Sequence, residues 1–258
     1  MRAKQALGQN FLMHQATADR IADAAGLSST DTVLEIGPGT GMLTRALLAR
    51  AGKVIAIEAD RELIPGLELT FSDEIGAKKL EIIAGDFRTL DLSTVPASYK
   101  VVANIPYYIT GEIIRTLLTA KNKPLSVTLL VQREVAERIA REPKESLLSL
   151  SVKAFGTPKY MFTVPRGAFR PAPKVDSAVL HIGNISSPFR DDSEEARFFE
   201  ILHAGFAHKR KRLAKNLESV LPASDAAEAL ERAGVGKDAR AEDVPLTAWE
   251  SIVGILRG

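Results

Sequence analysis

The chain of 258 residues has no cysteine. Disulfides, thiolate nucleophiles and cysteine-ligated zinc are therefore excluded, and a reducing cytoplasm is the compartment expected. No apolar run approaches the roughly 20 residues of a membrane span, so no membrane partner is expected. The first five residues, Met-Arg-Ala-Lys-Gln, lack the apolar core of a signal peptide. Histidine is scarce: His14, His181, His203 and His208 show no metal-ligand spacing, and no metal is expected. Bulk charge is nearly absent as well, with 34 basic residues against 32 acidic and a net charge of +2. A nucleic-acid partner must then be argued from clusters of charge. Apolar residues are abundant, at 45% hydrophobic against 26% charged, which suits a globular chain with a sizeable core.

Strand and helix signals alternate through the first two thirds of the chain. Short β-rich runs are expected at 32–36, 54–58, 80–84, 100–103 and 126–131. Helical stretches are expected at 42–50, 61–71, 111–120, 133–141 and 146–155. Two later runs, 159–164 and 177–182, read as an antiparallel pair that closes the sheet. The pattern predicts an α/β fold with a mostly parallel sheet covered on both faces, whose ligands bind at the carboxyl ends of the strands. Around 184–192 the composition turns to Ser, Pro and charge, a linker signal. Beyond it an apolar stripe, Phe198, Leu202, Phe206, Leu213 and Leu217, with further helices at 226–233 and 246–256, predicts a small helical domain. The expected division is residues 1–186 and 187–258.

Residues 33–41 read Val-Leu-Glu-Ile-Gly-Pro-Gly-Thr-Gly, a strand entering a glycine-rich turn. Glycines there let the backbone turn tightly and approach a ligand closely. A lone glycine-rich turn is weak evidence, because its glycines can serve strand-to-helix packing alone. The spacing Gly37-x-Gly39-x-Gly41 is wrong for a dinucleotide fingerprint. Glu35 inside the strand is common in binders of S-adenosylmethionine (SAM). Glu58 ends the second strand, where a carboxylate can take both ribose hydroxyls. Gly85-Asp86-Phe87 ends the third, with Asp86 placed for the adenine amine and Phe87 beside the ring. Four elements in order point to SAM as the cofactor.

Residues 104–110 read Asn-Ile-Pro-Tyr-Tyr-Ile-Thr after the apolar run Val101-Val102-Ala103. An adenine amine is a poor nucleophile because its lone pair is delocalised into the ring. A site accepting from both N–H groups favours the geometry that localises the pair. Asn104 can supply its side-chain oxygen and Ile105 its backbone carbonyl, whose direction Pro106 fixes. Tyr107 offers a face on which the base stacks. Methyl transfer from a sulfonium leaves a neutral group, so positioning and polarisation of the amine carry the catalysis. An Asn-Pro turn flanked by two core tyrosines is the bland alternative.

Through these motifs the chain resembles the KsgA/RsmA-type small-subunit ribosomal RNA adenine dimethyltransferases. The likeness spans nearly the whole length. It includes Leu7-Gly8-Gln9-Asn10-Phe11-Leu12, Glu35 to Gly41, Glu58, Gly85-Asp86-Phe87, Asn104 to Tyr107, Val131-Gln132-Arg133-Glu134-Val135-Ala136 and the run from Phe169 to Val179. The resemblance implies a class I SAM-dependent methyltransferase (Rossmann-like) domain with a small C-terminal α-helical domain. It implies SAM contacts from Asn10, Leu12, Gly37, Glu58, Asp86 and Asn104, beside Gly39 and Phe87 of the motifs above. It implies that Asn104, Tyr107 and Phe169 hold the target adenine, beside Ile105 and Pro106 of the amine-gripping motif. The substrate implied is two adjacent adenosines, each methylated twice, in the hairpin loop near the 3′ end of 16S RNA in the assembling small subunit, and a monomer is expected. The related 23S RNA methyltransferases of macrolide resistance and a non-catalytic assembly factor are the rival readings. Two positions depart from the family pattern: His14 stands where an acidic residue is usual, and Leu147-Leu148 where Tyr-Gly is usual.

The densest positive run is His208-Lys209-Arg210-Lys211-Arg212 with Lys215. Read as a helix, it puts Lys211 and Lys215 on a face with His208. RNA contact by Lys209, Arg210, Lys211 and Arg212 is expected, against the bland reading of a solvated helix face. Arg133 alternates with acidic neighbours in a salt-bridge pattern yet could face the substrate. Arg170 and Lys174 flank Phe169 and are candidates for phosphate contact.

Overall fold

The computed structural model describes residues 9–255. Leu7 and Gly8 of the first motif, and the last residue of the helix expected at 246–256, lie outside the described residues. In chain order the first elements are β1 (Phe11–Leu12), α1 (Gln15–Ala24), β2 (Thr32–Ile36), α2 (Met42–Leu48) and β3 (Lys53–Glu58). They are followed by α3 (Ile64–Thr70), α4 (Ser72–Gly76), β4 (Leu80–Ala84), β5 (Tyr99–Asn104), α5 (Thr110–Thr119) and β6 (Ser126–Gln132). Next come α6 (Arg133–Ala140), α7 (Leu147–Phe155), β7 (Thr157–Val164), β8 (Phe169–Arg170) and β9 (Ser177–Gly183). The last are α8 (Asp192–Phe206), α9 (Leu213–Leu217), α10 (Ala223–Arg232) and α11 (Leu246–Ile255).

Seven strands form one sheet in the order β4-β3-β2-β5-β6-β9-β7. β4, β3, β2, β5 and β6 are parallel, and β9 runs antiparallel to both β6 and β7. The inner parallel strands β3, β2, β5 and β6 are buried on both faces, which is why they read as apolar runs, while β4 at the edge exposes Glu81 and Ala84. Val54 to Ile57 and Val101 to Ala103 are all buried. β7 lies at the edge and alternates exposed with half-buried positions. α5 buries Ile113, Ile114, Leu117 and Leu118, an i, i+1, i+4, i+5 stripe.

Four elements have no counterpart in the sequence pattern: β1, β8, α1 and the five-residue α4. β1 and β8 are two-residue strands paired with each other, Phe11 opposite Arg170 and Leu12 opposite Phe169. Partners so far apart in sequence leave no local periodicity to read. α1 buries Ala18, Ile21 and Ala22, and two alanines make a weak apolar signal.

The chain divides into two compact units. One runs to Glu137 and adds Gly156–Ser186; the other is Arg138–Phe155 with Ser187–Gly258. The segment 138–155, placed by sequence with the first domain, groups with the C-terminal helices because Phe155 belongs to their aromatic core. Its ring meets Phe189 edge-on at 5.5 Å and stacks with Phe199 at 6.1 Å. Elsewhere in that unit Trp249 is fully buried and stacks with Phe206 at 5.7 Å. It lies against Gly205, where a Cβ would stand 2.3 Å from the indole.

Candidate active site

The carboxyl ends of β4, β3, β2 and β5, neighbours in the sheet, open into a cleft. Its lining includes Asn10, Leu12, Gly37, Gly39, Glu58, Asp86, Phe87 and Asn104, together with Ile105 and Pro106. These are the residues the sequence assigns to the cofactor and to the grip on the amine. Tyr107 and Phe169 are not among the lining residues.

The glycine turn is shaped by contacts only glycine allows. Gly39 and Gly41 have φ of +60° and +83°, a region costly for residues with a Cβ. At Gly41 a Cβ would stand 2.5 Å from the Phe71 ring; at Gly39 it would press on Phe11 at 3.0 Å. Glu58, 5% exposed, ties the turn down. One of its oxygens accepts the Gly39 N–H at 3.0 Å and the other the Asp60 N–H at 2.8 Å. Burial raises the Glu58 pKa, and these backbone bonds oppose the rise. A carboxylate has about four acceptor positions, so two backbone donors leave room for a pair of hydroxyls.

Glu35, one residue before the end of β2, is fully buried, and the buried Thr44 hydroxyl is the polar side chain set against its carboxyl. Burial pushes the Glu35 pKa up to about 8, with Thr44 opposing and Glu58 adding to the rise. Glu35 is thus a neutral acid at pH 7, and it does not line the cleft.

Asn104 ends β5, and its Nδ2 donates to the Asn10 backbone carbonyl at 2.9 Å. That bond fixes the orientation of the amide, and Asn104 lines the cleft. Pro106 holds φ −60° and ψ 132°, and its carbonyl accepts the Ile109 N–H at 3.3 Å in the tight turn Tyr107–Ile109. Tyr107 is half-buried, its hydroxyl on the Ser177 Oγ at 2.5 Å. Burial raises the Tyr107 pKa and the Ser177 contact opposes the rise. Ser177 is fully buried at the start of β9, so the closing strand fixes the ring.

Phe169 is 4% exposed, packed in the core with Leu12, Val164, Ala168 and Val179. The β8–β1 pairing, with Phe169 opposite Leu12, holds that ring in the core. The exposed aromatic on the cleft is Tyr108, at 64%. Tyr108, Arg88 and Ser177 are site residues that no sequence motif singled out by role. The second tyrosine of the 104–110 motif was a signal for the first of these.

The basic candidates fall in both units. Arg133 is half exposed, 3.9 Å from Glu137 and 3.8 Å from Asp176; Arg170 and Lys174 are exposed. The run Lys209, Arg210, Lys211 and Arg212 is exposed, but it forms no helix. It is the turn between α8 and α9. Asn216 Nδ2 captures the carbonyls of Gly205 and His208, at 2.6 and 3.1 Å. Arg212 is extended, with ψ 147°. A helix would also stack like charges at i and i+3 or i+4. Arg212 pairs with Asp238 at 3.1 Å and Lys215 with Glu218.

The fold and the cleft are shared with proteins of known kind. The ribosomal RNA adenine dimethylase family model matches residues 1–257. A ribosomal RNA small subunit methyltransferase A from Dehalococcoides mccartyi is 40% identical over 265 residues, covering 98% of this chain and 88% of that protein. The crystal structure of a dimethyladenosine transferase from Plasmodium falciparum superposes with TM-score 0.80 at 28% identity, over 94% of this chain and 95% of that one. The 23S rRNA methyltransferase ErmE does so with TM-score 0.77 at 30% identity, over 96% and 100%. The seven-stranded sheet with its C-terminal helices is the class I methyltransferase fold of those structures.

Proposed function

The chain belongs to the ribosomal RNA adenine dimethylase family, and from that premise we propose that it dimethylates N6 of two adjacent adenosines in the hairpin loop near the 3′ end of 16S RNA, in the assembling small subunit. It is an enzyme whose cofactor is SAM. The single observation that carries the chemical reading is Asn104, at the end of β5 on the cleft, its amide orientation fixed by the bond from its nitrogen to the Asn10 carbonyl. The choice of small-subunit RNA over the 23S RNA named for ErmE is supported by the higher identity to relatives named for the small subunit, 40% against 30%. The lack of cysteine supports action in a reducing cytoplasm, and we expect a monomer.

The residues fit the cofactor. Glu58 keeps acceptor capacity for ribose hydroxyls, Asp86 offers a carboxylate to the adenine end, Phe87 lines the wall, and Gly37 and Gly39 let the chain approach closely. When bound, SAM supplies an electrophilic methyl group on a sulfonium. The protein's part is to hold the amine in line. Asn104 Oδ1 and the Ile105 carbonyl accept its two N–H groups and favour a localised lone pair, while the Tyr107 ring, fixed through Ser177, supports the base. The ring of Phe169 joins only if the β1–β8 region yields.

The test is mass mapping of methylated adenosines in RNA from a strain lacking the gene, complemented with the wild type or with Asn104→Ala. Small-subunit dimethyladenosine is expected to return with the wild type alone. For purified Asn104→Ala, methyl transfer is expected to fall by about 100-fold or more while SAM affinity changes by less than about tenfold, because the missing acceptor acts mainly on the transition state. Near-normal turnover by the variant, or methylation restored to 23S RNA instead, overturns the assignment.

A further inference from the structure

We propose that Arg88 is a positioning residue for the adenine end of the cofactor, fixing the plane of the Asp86 carboxylate that takes an N–H donor from the cleft. The inference rests on the proposed function, in which Asp86 receives the adenine amine, and goes beyond it in assigning how that amine is selected. Asp86 and Arg88 both line the cleft. The Arg88 N–H donates to Asp86 Oδ1 at 2.9 Å. The Arg88 Nε is shared between the two carboxylate oxygens, 3.1 Å from each, and Nη2 donates to Oδ2 at 2.6 Å. Each carboxylate oxygen therefore accepts two of these bonds, and the long Nε bond, split between them, is the one that a donor from the cleft can displace from one oxygen.

This pair contributes little to stability. Its side chains are 48% and 36% exposed, and solvent screens an ion pair placed that close to water. Its effect is directional: a planar fork across both oxygens fixes the carboxylate plane in a way that one ammonium cannot. It is also electrostatic. The Arg88 hydrogen bonds hold the Asp86 carboxyl below its ordinary range, against the opposing effect of burial. Glu112 and Tyr108 in turn reinforce the charge on Arg88. A carboxylate kept ionised, with one oxygen released as the shared Nε bond settles on the other, takes a ring amine and repels a ring carbonyl. The chemistry selected is 6-aminopurine over 6-oxopurine.

The experiment is calorimetry with S-adenosylhomocysteine and its analogue bearing hydrogen in place of the 6-amino group. The wild type is expected to prefer the amine by about tenfold or more, as for a hydrogen bond to a charged group. Asp86→Ala is expected to lose that preference. Arg88→Ala is expected to reduce it to about threefold or less, with Arg88→Lys between. The affinity of Arg88→Ala for S-adenosylhomocysteine is also expected to start falling at a higher pH than in the wild type, since Asp86 then protonates more readily. Thermal melting of both Arg88 variants is expected to match the wild type. If Asp86→Ala keeps the amine preference, the placement of adenine at Asp86 is wrong and the proposal falls with it. If Asp86→Ala loses the preference but Arg88→Ala keeps it, the proposal alone is overturned. Equal weakening of both ligands by Arg88→Ala overturns it too, because that is what a merely structural role produces.

Discussion

Glu35 shows how a single residue can be legible in type but not in state. Its place in β2, two residues ahead of the glycine turn, marks it as part of a SAM-type motif. Only the fold shows that it is fully buried, its pKa raised by that burial to about 8 from an ordinary 4.5. The consequence for stability has a definite sign. Below about pH 4.5 the group is protonated in both folded and unfolded chains. Between 4.5 and 8 only the folded chain keeps the proton, so this contribution is lost as pH rises through that window. Glu35→Gln removes the titration while nearly keeping the shape. Urea unfolding at about pH 5 and about pH 8.5, either side of most of that window, is expected to show a smaller loss of stability for the variant than for the wild type. Equal losses would mean that Glu35 is ionised in the folded chain. The other site residues divide in the same way. Glu58, Asp86 and Asn104 could be read because each closes a recognisable strand. Their supports could not, since Asn10 holds Asn104 from 94 residues away and Ser177 holds Tyr107 from 70.

At the scale of elements, the parallel strands and α5 were readable because burial on both faces, or along one stripe, leaves a pattern in consecutive residues. The failures have physical causes. The β1–β8 pair is held by tertiary contact alone, and the basic run, helical by its spacing, is a turn because Asn216 ends the helix from below. α1 is hidden partly because it starts poorly. His14 is its N-cap, extended at φ −126° and ψ 121°, and makes no side-chain cap bond; no acidic residue lies in the first turn. That is one of the two departures from the family pattern, at a position where an acidic residue is usual. An aspartate in this geometry accepts from the N2 or N3 N–H and meets the positive end of the helix dipole. His14→Asp is therefore expected to stabilise the protein by about 1 kcal/mol, raising the melting temperature by about 2–4 °C. A melt by circular dichroism at neutral pH decides it, and an unchanged or lowered midpoint would mean that the start of α1 is already satisfied by other means.

Over the whole molecule, charge is nearly balanced, and attraction to RNA depends on where cations go uncompensated. Residues 184–258 are net acidic, yet within them Lys209, Arg210 and Lys211 stand exposed on one short turn. Arg212 is different, because Asp238 faces it at 3.1 Å. A turn pinned by Asn216 also presents its cations with less freedom than a loose loop, so fewer conformations are lost on binding. Phosphate contacts of this kind give affinity and salt dependence but little sequence choice. Replacing Lys209, Arg210 and Lys211 together with Gln is expected to weaken binding to small-subunit RNA and to flatten the logarithmic salt slope by about 0.7–0.9 for each phosphate left unneutralised. The cofactor cleft is lined entirely by residues of the first unit, so SAM affinity is expected to stay within error of the wild type. Binding across a salt series, with SAM calorimetry alongside, separates the outcomes. An unchanged slope would make the turn an ordinary solvated surface. A weakened SAM affinity would show that the substitutions reach the fold rather than the RNA.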